Sequence, residues 1–399
     1  MVGFLEMGRH GFGSISLTLE ASFGHTASHW MQHWMEALKF EKTFPHSESL
    51  RLRDIYFLFP RMNIESGGHL AQLRLLEIAR RVAPAHAVVY ESRDVSVPFL
   101  DDVLQQADAA NSIFVIHWGP HVPDLIHRLV DRNVVYLSYS TGYGFRVPAH
   151  VAIIAGSRHT LAYWSKHAPD SLLYYLPAII SDEFTNLHQN RDIDVLVQKR
   201  KSSRYLLEEL VPALQHDFSV TVLDSWVEDL AAIFNRTKVY LYDSSDYWAQ
   251  HGLSEGFGLP PLEALACGCT VFSSINEALS DYLDPGFNCQ KLHTYSLQYD
   301  LKQISSVIHD WQDQTKENDP AAEYRSHAVE KRWEVIISGL NDFFDHQRRD
   351  PTAFQAADIS LEQASAQDGN KTSVPRSVSR ISRFLPRFVK NWIKSLRFG

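Results

Sequence analysis

Two glutamates, Glu255 and Glu263, stand eight positions apart with two glycines between them. Gly256 and Gly258 lack a Cβ, so the backbone there can come close to a ligand. The proline pair that follows favours a helix start, because the first turn of a helix needs no N–H from its residues. Free N–H groups and the positive dipole of such a helix start favour a diphosphate. We therefore expect Glu263, in the first turn of this helix, to accept hydrogen bonds from ribose hydroxyls.

The phrase Ser254-Glu-Gly-Phe-Gly-Leu-Pro, with its second Glu at 263, resembles the E-x7-E motif of a known family. That family comprises the retaining GT-B glycosyltransferases of the glycosyltransferase family 4, or group 1, type. The resemblance implies that Glu255 contacts the donor sugar and that Glu263 holds the nucleotide ribose. It also implies that N–H groups of the glycine loop contact sugar hydroxyls and phosphate, namely those around Gly256, Phe257, Gly258 and Leu259. The alternative is structural: Glu263 would complement the helix dipole, and Glu255 would be a solvated charge in a turn.

Further segments of the second half resemble the same family. Lys201, in Val195-Leu-Val-Gln-Lys-Arg-Lys, matches a lysine that the family places on the donor diphosphate. The family's arginine falls at Leu196 here, so Arg200 or Lys199 is the substitute. The alternative for these basic residues is a solvated helix start. The segment that contains Val227 resembles the part of the family whose backbone reads the base.

The first half resembles the family more weakly, at a glycine turn and at the end of a strand. Gly67 and Gly68 stand at a glycine turn that the family places near the diphosphate and acceptor. Tyr139 ends a strand that carries a functional histidine in many members. His117 ends another predicted strand and would face the cleft; its alternative is a simple strand-end histidine. These four residues are the predicted acceptor or phosphate side.

The elements that position these residues follow from the hydrophobic pattern. Short apolar runs such as Ile55–Phe59 are typical of buried parallel strands, and helical stripes lie between them. The pattern starts near Asp54, pauses at a polar stretch and restarts at Ile193. Two doubly wound α/β domains leave a cleft at the carboxyl ends of their strands, where ligands bind. The resemblance names this arrangement the GT-B fold, two facing Rossmann-like domains.

These patterns predict six segments along the chain. The division is an N-terminal extension at 1–52, an acceptor-side domain at 53–180, a linker at 181–192, a nucleotide-sugar domain at 193–348, a disordered stretch at 349–375 and a tail at 376–399. The helical pattern runs from about Ser296 to Gln347. The tail carries seven basic and no acidic residues beside an apolar face, which is typical of a helix lying on an anionic membrane. Its alternative is a disordered tail or one packed on the protein.

Composition limits the other functions. The net charge of −9 does not favour a nucleic-acid partner, and three cysteines do not support a disulfide framework. No apolar run reaches the length of a membrane-spanning helix, and the N-terminus lacks a secretion pattern. We expect a cytoplasmic protein, with the tail favouring the inner face of a membrane. A glycan or a lipid-linked molecule is the expected acceptor.

The resemblance implies a retaining transfer from a nucleotide-sugar donor to an acceptor hydroxyl. Glu255, Lys201 and Arg200 are the predicted catalytic residues, of which the two basic ones stabilise the leaving diphosphate. No DxD motif stands out, so metal-independent catalysis without a cofactor is expected. The alternatives are a phosphorylase on the same scaffold and a degenerate GT-B protein that acts as a scaffold or binding module.

Overall fold

The computed structural model of the 399-residue chain describes residues 53–62, 67–225, 227–293, 296–311 and 319–350. The predicted extension at 1–52 and the predicted segments at 349–375 and 376–399 therefore lie outside the described residues, apart from the end of the last helix. None of the helices in the described part of the chain combines the length and the apolar composition that crossing a bilayer requires.

The first sheet has six strands, all parallel, in the order β2-β1-β3-β4-β5-β6. The strands are β1 (Ile55–Phe59), β2 (Ala85–Val89), β3 (Ile113–Ile116), β4 (Asn133–Ser138), β5 (Ala152–Ala155) and β6 (Leu173–Tyr175). The helices that connect them are α1 (Gly67–Val82), α2 (Leu100–Leu104), α3 (Val122–Arg128) and α4 (Arg158–His167). Every residue of β1 is buried, as expected for a strand with helices on both faces.

The second sheet has five parallel strands in the order β11-β10-β9-β7-β8. The strands are β7 (Ile193–Gln198), β8 (Val220–Leu223), β9 (Thr237–Tyr242), β10 (Thr270–Ser273) and β11 (Cys289–Lys291). A π-helical segment (Tyr205–Leu210) leads into α5 (Val211–Leu214), and the helices that follow are α6 (Leu230–Asn235), α7 (Ser245–His251), α8 (Leu259–Ala266), α9 (Leu297–His309) and α10 (Ser326–Arg349). The predicted pair of Rossmann-like α/β domains is therefore present.

Each sheet has a point where the strand order reverses. In the first sheet it lies between β1 and β3, and in the second it lies between β7 and β9. Ligands of open α/β sheets bind in the crevice beyond the carboxyl ends of such strands. The two crevices therefore begin after Phe59 and Ile116 in the first sheet, and after Gln198 and Tyr242 in the second.

The long helix α10 packs on the first sheet, although its residues were assigned from sequence to the second domain at 193–348. Its apolar face, which includes Trp333 and Leu340, lies in the same buried cluster as Phe57 of β1. The Phe57 and Trp333 rings are 6.2 Å apart, and Arg53 donates to the Asn341 side chain at 2.6 Å. The chain thus returns to its first domain, because the apolar stripe of α10 completes that core.

The segment predicted as a polar linker at 181–192 is partly buried in the second domain. Phe184 lies in the cluster with Phe234, and Arg191 is only 5% exposed. The Arg191 guanidinium donates to the backbone carbonyls of Phe234 and Cys267, at 2.9 and 2.7 Å. These contacts fix the path by which the chain enters β7.

Candidate functional site

Glu255 is the central group of the candidate site. It is 6% exposed and follows α7 in the loop before α8. Three donors converge on its Oε2: the Tyr242 hydroxyl at 2.6 Å, the Ser244 hydroxyl at 3.0 Å and the Trp248 indole N–H at 2.6 Å. Since all three come from β9 and the residues after it, the carboxylate is held against the carboxyl end of the second sheet. A carboxylate oxygen can accept hydrogen bonds from more than one donor, so this one oxygen serves all three side chains.

Lys201 brings a positive charge to the same carboxylate. Its Nζ lies 3.8 Å from Glu255 Oε1 and 4.1 Å from the centre of the Trp248 ring. Burial lowers the pKa of Lys201, and the neighbouring Glu255 opposes this effect. The backbone of Lys201 has a φ of +68°, an unfavourable region for a residue with a side chain. Such backbone conformations concentrate at functional sites.

The glycine loop is shaped by contacts on both sides. A Cβ on Gly256 would lie 1.1 Å from the Tyr139 carbonyl oxygen of the first domain. Gly258 has a φ of +78° and precedes the first turn of α8. The Tyr282 hydroxyl donates to the Gly258 carbonyl, and its ring lies 5.2 Å from that of Phe257. Glycine is therefore required at 256 by close approach and at 258 by backbone conformation.

Helix α8 begins at Leu259, just before the proline pair that was expected to start it. Glu263 was predicted to lie in the first turn of this helix, but it lies beyond that turn. It is 4% exposed, and Arg74 Nη1 of α1 lies 3.3 Å from its Oε1. Burial raises the pKa of Glu263 to about 7, and Arg74 opposes the rise. One domain thus supplies the carboxylate and the other supplies its cation.

A chain of hydrogen bonds extends from Glu255 to the edge strand β11. Ser244 donates to Glu255, and Asn276 donates to the Ser244 hydroxyl at 2.9 Å. Ser274 in turn bonds to Asn276 at 2.7 Å, and its carbonyl accepts from Lys291 Nζ at 3.4 Å. The crevice of the second sheet is therefore lined by polar groups that already have partners.

His117 lies at the crevice of the first sheet, but it is 6% exposed and does not open freely to it. Its ring is 5.9 Å from Phe59 and 5.3 Å from His69, and His69 stacks on Trp118 at 4.9 Å. Burial, and then the charge of His69, lower the pKa of His117 to about 3. The backbone of Leu58 faces the ring and opposes this lowering of the pKa, although neither ring nitrogen makes a hydrogen bond of normal geometry with the described residues. Both nitrogens are enclosed by the protein, so a ligand reaches them only if neighbouring side chains move.

Gly67 and Gly68 are the first two residues of α1 rather than a turn. Neither has a positive φ, and a Cβ on Gly67 would contact nothing within 4 Å. The residues 63–66 before them lie outside the described part of the chain. Tyr139 is partly buried between the cores of the two domains, and burial raises the pKa of its hydroxyl. Its backbone carbonyl meets Gly256 of the glycine loop.

Two further predicted residues are less closely placed. Arg200 is exposed, and its charge contributes to the lowered pKa of Lys201. Leu196, at the position of the expected arginine, is fully buried within β7. Val227 is half-buried in the loop before α6, which begins at Leu230. The structure therefore brings Glu255 and Lys201 together and leaves Arg200 and Val227 at the margin.

The partners of the two glutamates were not predicted from the sequence. No sequence pattern indicated Arg74, because its pairing with Glu263 joins residues that are 189 positions apart. A sequence pattern does indicate the donors to Glu255, because a buried strand at the switch point ends at Tyr242 and is followed by Ser244 and Trp248. Their convergence on one oxygen depends on α7, which the sequence analysis did not predict.

A cavity of about 390 Å³ lies elsewhere, at the amino ends of β7 and β10. Its lining includes Asn186, Gly268, Asp319 and Arg325. The Arg325 guanidinium donates to Asp319 at 2.8 Å and to the Ser181 and Phe184 carbonyls at 2.8 and 2.7 Å. Because ligands of open α/β sheets bind at carboxyl ends, this cavity is no alternative to the crevices.

Residues 185–323 match the family model described as "Glycosyl transferases group 1". Residues 185–323, the group 1 domain, are thus similar to glycosyltransferases of this family. The group 1 domain contains Lys201, Glu255 and Glu263, whereas Arg74 and His117 lie outside it. Among curated protein sequences, none matches the chain.

Solved structures share the fold over most of the chain. The Anabaena protein HepE, in complex with UDP and glucose, has a TM-score of 0.51 at 14% identity and covers 72% of this chain and 100% of its own. A glycosyltransferase from Rickettsia africae has a TM-score of 0.53 at 9% identity and covers 73% of this chain and 99% of its own. The similarity concerns the fold, and with the group 1 domain it confirms the predicted GT-B architecture.

Proposed function

We propose that this protein transfers a sugar from a nucleotide-sugar donor to an acceptor hydroxyl with retention of anomeric configuration. The group 1 domain supports the transferase class. The observation that carries the proposal is Glu255, held by three donors beside Lys201 at the carboxyl end of the second sheet. A scaffold protein would need no carboxylate with this set of partners.

The donor would bind with its diphosphate at the start of α8 and with its sugar at Glu255. The N–H groups of Phe257, Gly258 and Leu259 stand before or within the first turn of that helix, where no helical partner satisfies them. Lys201 and those N–H groups would stabilise the negative charge that develops on the leaving diphosphate. Arg200 would add long-range charge from the surface. Metal-independent catalysis remains a prediction.

The acceptor would lie against the first domain. His117 is the side chain that supports this assignment, because its buried ring nitrogens make no hydrogen bond of normal geometry with the described residues. Gly67 and Gly68 would bound the site at the start of α1, and Tyr139 would contribute through its backbone. A glycan or a lipid-linked molecule is the proposed acceptor class, and cytoplasmic location is proposed with it.

A donor survey tests the proposed function. The protein is incubated with UDP-, GDP- and ADP-sugars, and release of the nucleoside diphosphate is measured; UDP-glucose comes first, because HepE is described with UDP and glucose. We expect one nucleotide class to be turned over, and a product of the same anomeric configuration by NMR. An inverted product would reject retention, and no turnover or binding with any donor would reject the transferase.

Glu255→Gln tests the residue that carries the proposal. Loss of the negative charge is expected to lower transfer by about 10²–10³-fold, the range for removing one transition-state electrostatic contact. Glu277→Gln is the matched control, because Glu277 is an exposed carboxylate of the same domain. Equal activity of both variants, with unchanged melting temperatures, would contradict the assignment.

The tail at 376–399 is proposed to hold the protein at an anionic membrane. Its basic and apolar residues support this at the level of sequence pattern. Sedimentation with liposomes that contain anionic lipid compares the full chain with a chain ending at 375. Equal binding by both would remove this part of the proposal.

A further inference from the structure

Arg74 and Glu263 form an ion pair between the two domains. Arg74 lies on α1 and Glu263 on α8, and the Nη1–Oε1 distance is 3.3 Å. The side chains are 17% and 6% exposed, so the pair is largely removed from water. Charges in such surroundings interact more strongly than they do at the surface.

The position of Arg74 is fixed by a second contact. Its Nη1 also donates to the Ile179 carbonyl at 3.0 Å, where the chain leaves the first domain. One nitrogen thus joins α1, the segment between the domains and the carboxylate of the second domain. Since Arg74 bonds only to Oε1, Glu263 Oε2 accepts no hydrogen bond from the described residues.

Arg74 is also the only positive group that influences the titration of Glu263 within the described part of the chain. Burial is the main cause that raises the pKa of Glu263, and Glu183 between the domains raises it further. Tyr240 of β9, Cys267 at the end of α8 and Tyr282 also face this carboxylate, and their own pKa values are raised. These three groups are neutral near pH 7, so Arg74 alone favours the ionised carboxylate.

We propose that Arg74 is a positioning residue for the donor carboxylate: it keeps Glu263 ionised and turned so that Oε2 is free to accept hydrogen bonds from vicinal hydroxyls of the donor. The nature of those hydroxyls rests on the proposed function, because a nucleotide ribose supplies them only if the donor is a nucleotide sugar. The ion pair itself does not depend on it. Through this pair, the first domain controls a binding group of the second.

A test without any donor follows the melting temperature against pH. Glu263 has a folded-state pKa above its unfolded value, so its contribution to stability is greatest below the unfolded pKa and is lost as pH rises to the folded pKa. Arg74→Met raises the folded pKa further, so the loss continues to higher pH. The melting-temperature difference between wild type and Arg74→Met is therefore expected to grow from pH 6 to pH 9.

Two controls isolate the pair. The first control compares the Arg74→Met/Glu263→Gln double variant with Glu263→Gln alone. Their melting-temperature difference is expected not to change with pH, because no carboxylate remains at position 263 to titrate. Arg81→Met, on the same helix, removes an exposed ion pair with Glu330 and should also give a flat difference. A flat difference for Arg74→Met itself would overturn the proposal.

The second test uses the preferred donor and measures kcat/KM against pH, which reports the pKa values of the free enzyme. In Arg74→Met the acidic limb of the kcat/KM profile should move to higher pH. At pH values below the limb, kcat/KM should then fall roughly tenfold for each unit by which the pKa rises. The difference in kcat/KM between wild type and Arg74→Met should become smaller at pH 8.5 to 9. Arg74→Lys should stay close to wild type, and Arg81→Met should match it.

The outcomes separate the two proposals. A loss in Arg74→Met that is the same at every pH means a merely structural role and overturns the inference. A wild-type protein without transfer rejects the proposed function, while the donor-free melting curves still decide whether Arg74 controls Glu263.

Discussion

At the scale of single residues, the sequence predicted which groups carry charge but not what holds them. Glu255 and Glu263 were both expected in a donor site, and the structure gives them different surroundings. Glu255 accepts three hydrogen bonds within its own domain, whereas Glu263 is paired with Arg74 of the other domain. Residue type and spacing are enough to predict the two carboxylates. A partner that is distant in sequence, as Arg74 is from Glu263, produces no local sequence pattern.

Trp248→Phe is expected to weaken donor turnover while the chain stays folded. The change keeps a ring beside Lys201 and removes the indole N–H that donates to Glu255 at 2.6 Å. A hydrogen bond to a charged group contributes about 1.5–3 kcal/mol, so a loss of roughly tenfold or more in kcat/KM is expected. Tyr247→Phe, in the same helix, is the control, and an equal effect of both changes would contradict the role of the indole.

Gly256→Ala is expected to disrupt the contact between the domains. The added Cβ would lie 1.1 Å from the Tyr139 carbonyl oxygen, so the backbone must move. We expect a lower melting temperature and a strong loss of donor turnover, because Glu255 is the neighbouring residue. Gly67→Ala is the matched change, since its Cβ meets nothing within 4 Å. Similar melting temperatures for the two variants would count against this steric account.

At the scale of elements, the strands were predicted better than the helices. The run at β1 has the predicted bounds, because continuous apolar residues between turns identify a buried parallel strand. The short helix α7 and the edge strands β6 and β11 were missed, since their residues are half-exposed or few. Helix α8 begins earlier than predicted because Gly258 ends the preceding turn at a positive φ.

Leu340→Ala on α10 is expected to destabilise the first domain. Leu340 is fully buried in the cluster that contains Phe57 and Trp333, and truncation there leaves a cavity. The free energy of unfolding should fall by about 2–5 kcal/mol, measured by urea denaturation. Val335, on the same helix, is 67% exposed, and Val335→Ala should change the free energy of unfolding by under about 0.5 kcal/mol. The reverse order would mean that α10 does not pack as described.

At the scale of the whole molecule, the sequence predicted two Rossmann-like domains but not their contacts. Those contacts include Thr141 with Ser254, whose hydroxyls are 2.7 Å apart, and Asp281 with the start of α4. They could not be predicted because each joins residues more than a hundred positions apart, and only tertiary packing brings them together. The return of α10 to the first domain escaped prediction for the same reason.

Asp281→Asn is expected to weaken the contact at α4. Its Oδ2 accepts from the Arg158 backbone N–H at 3.0 Å and from the Tyr175 hydroxyl at 3.1 Å, and its side chain is 2% exposed. Loss of the charge at a helix N-terminus and of one acceptor should cost about 1–3 kcal/mol in unfolding free energy. Asp284→Asn, an exposed neighbour, should cost less than about 0.5 kcal/mol. Equal values for the two changes would contradict this prediction.

The contact between the Tyr139 carbonyl and Gly256 also limits which domains of other proteins can replace a domain of this one. Only a residue without a Cβ fits at 256, and the adjoining Gly142 would place its own Cβ 2.3 Å from the Gly252 carbonyl oxygen. A chimaera that takes its second domain from another protein of this fold therefore receives only one of two surfaces that must fit each other. Grafting a new donor preference would require residues 139–142 to be exchanged together with 252–258, as a single module that is discontinuous in sequence.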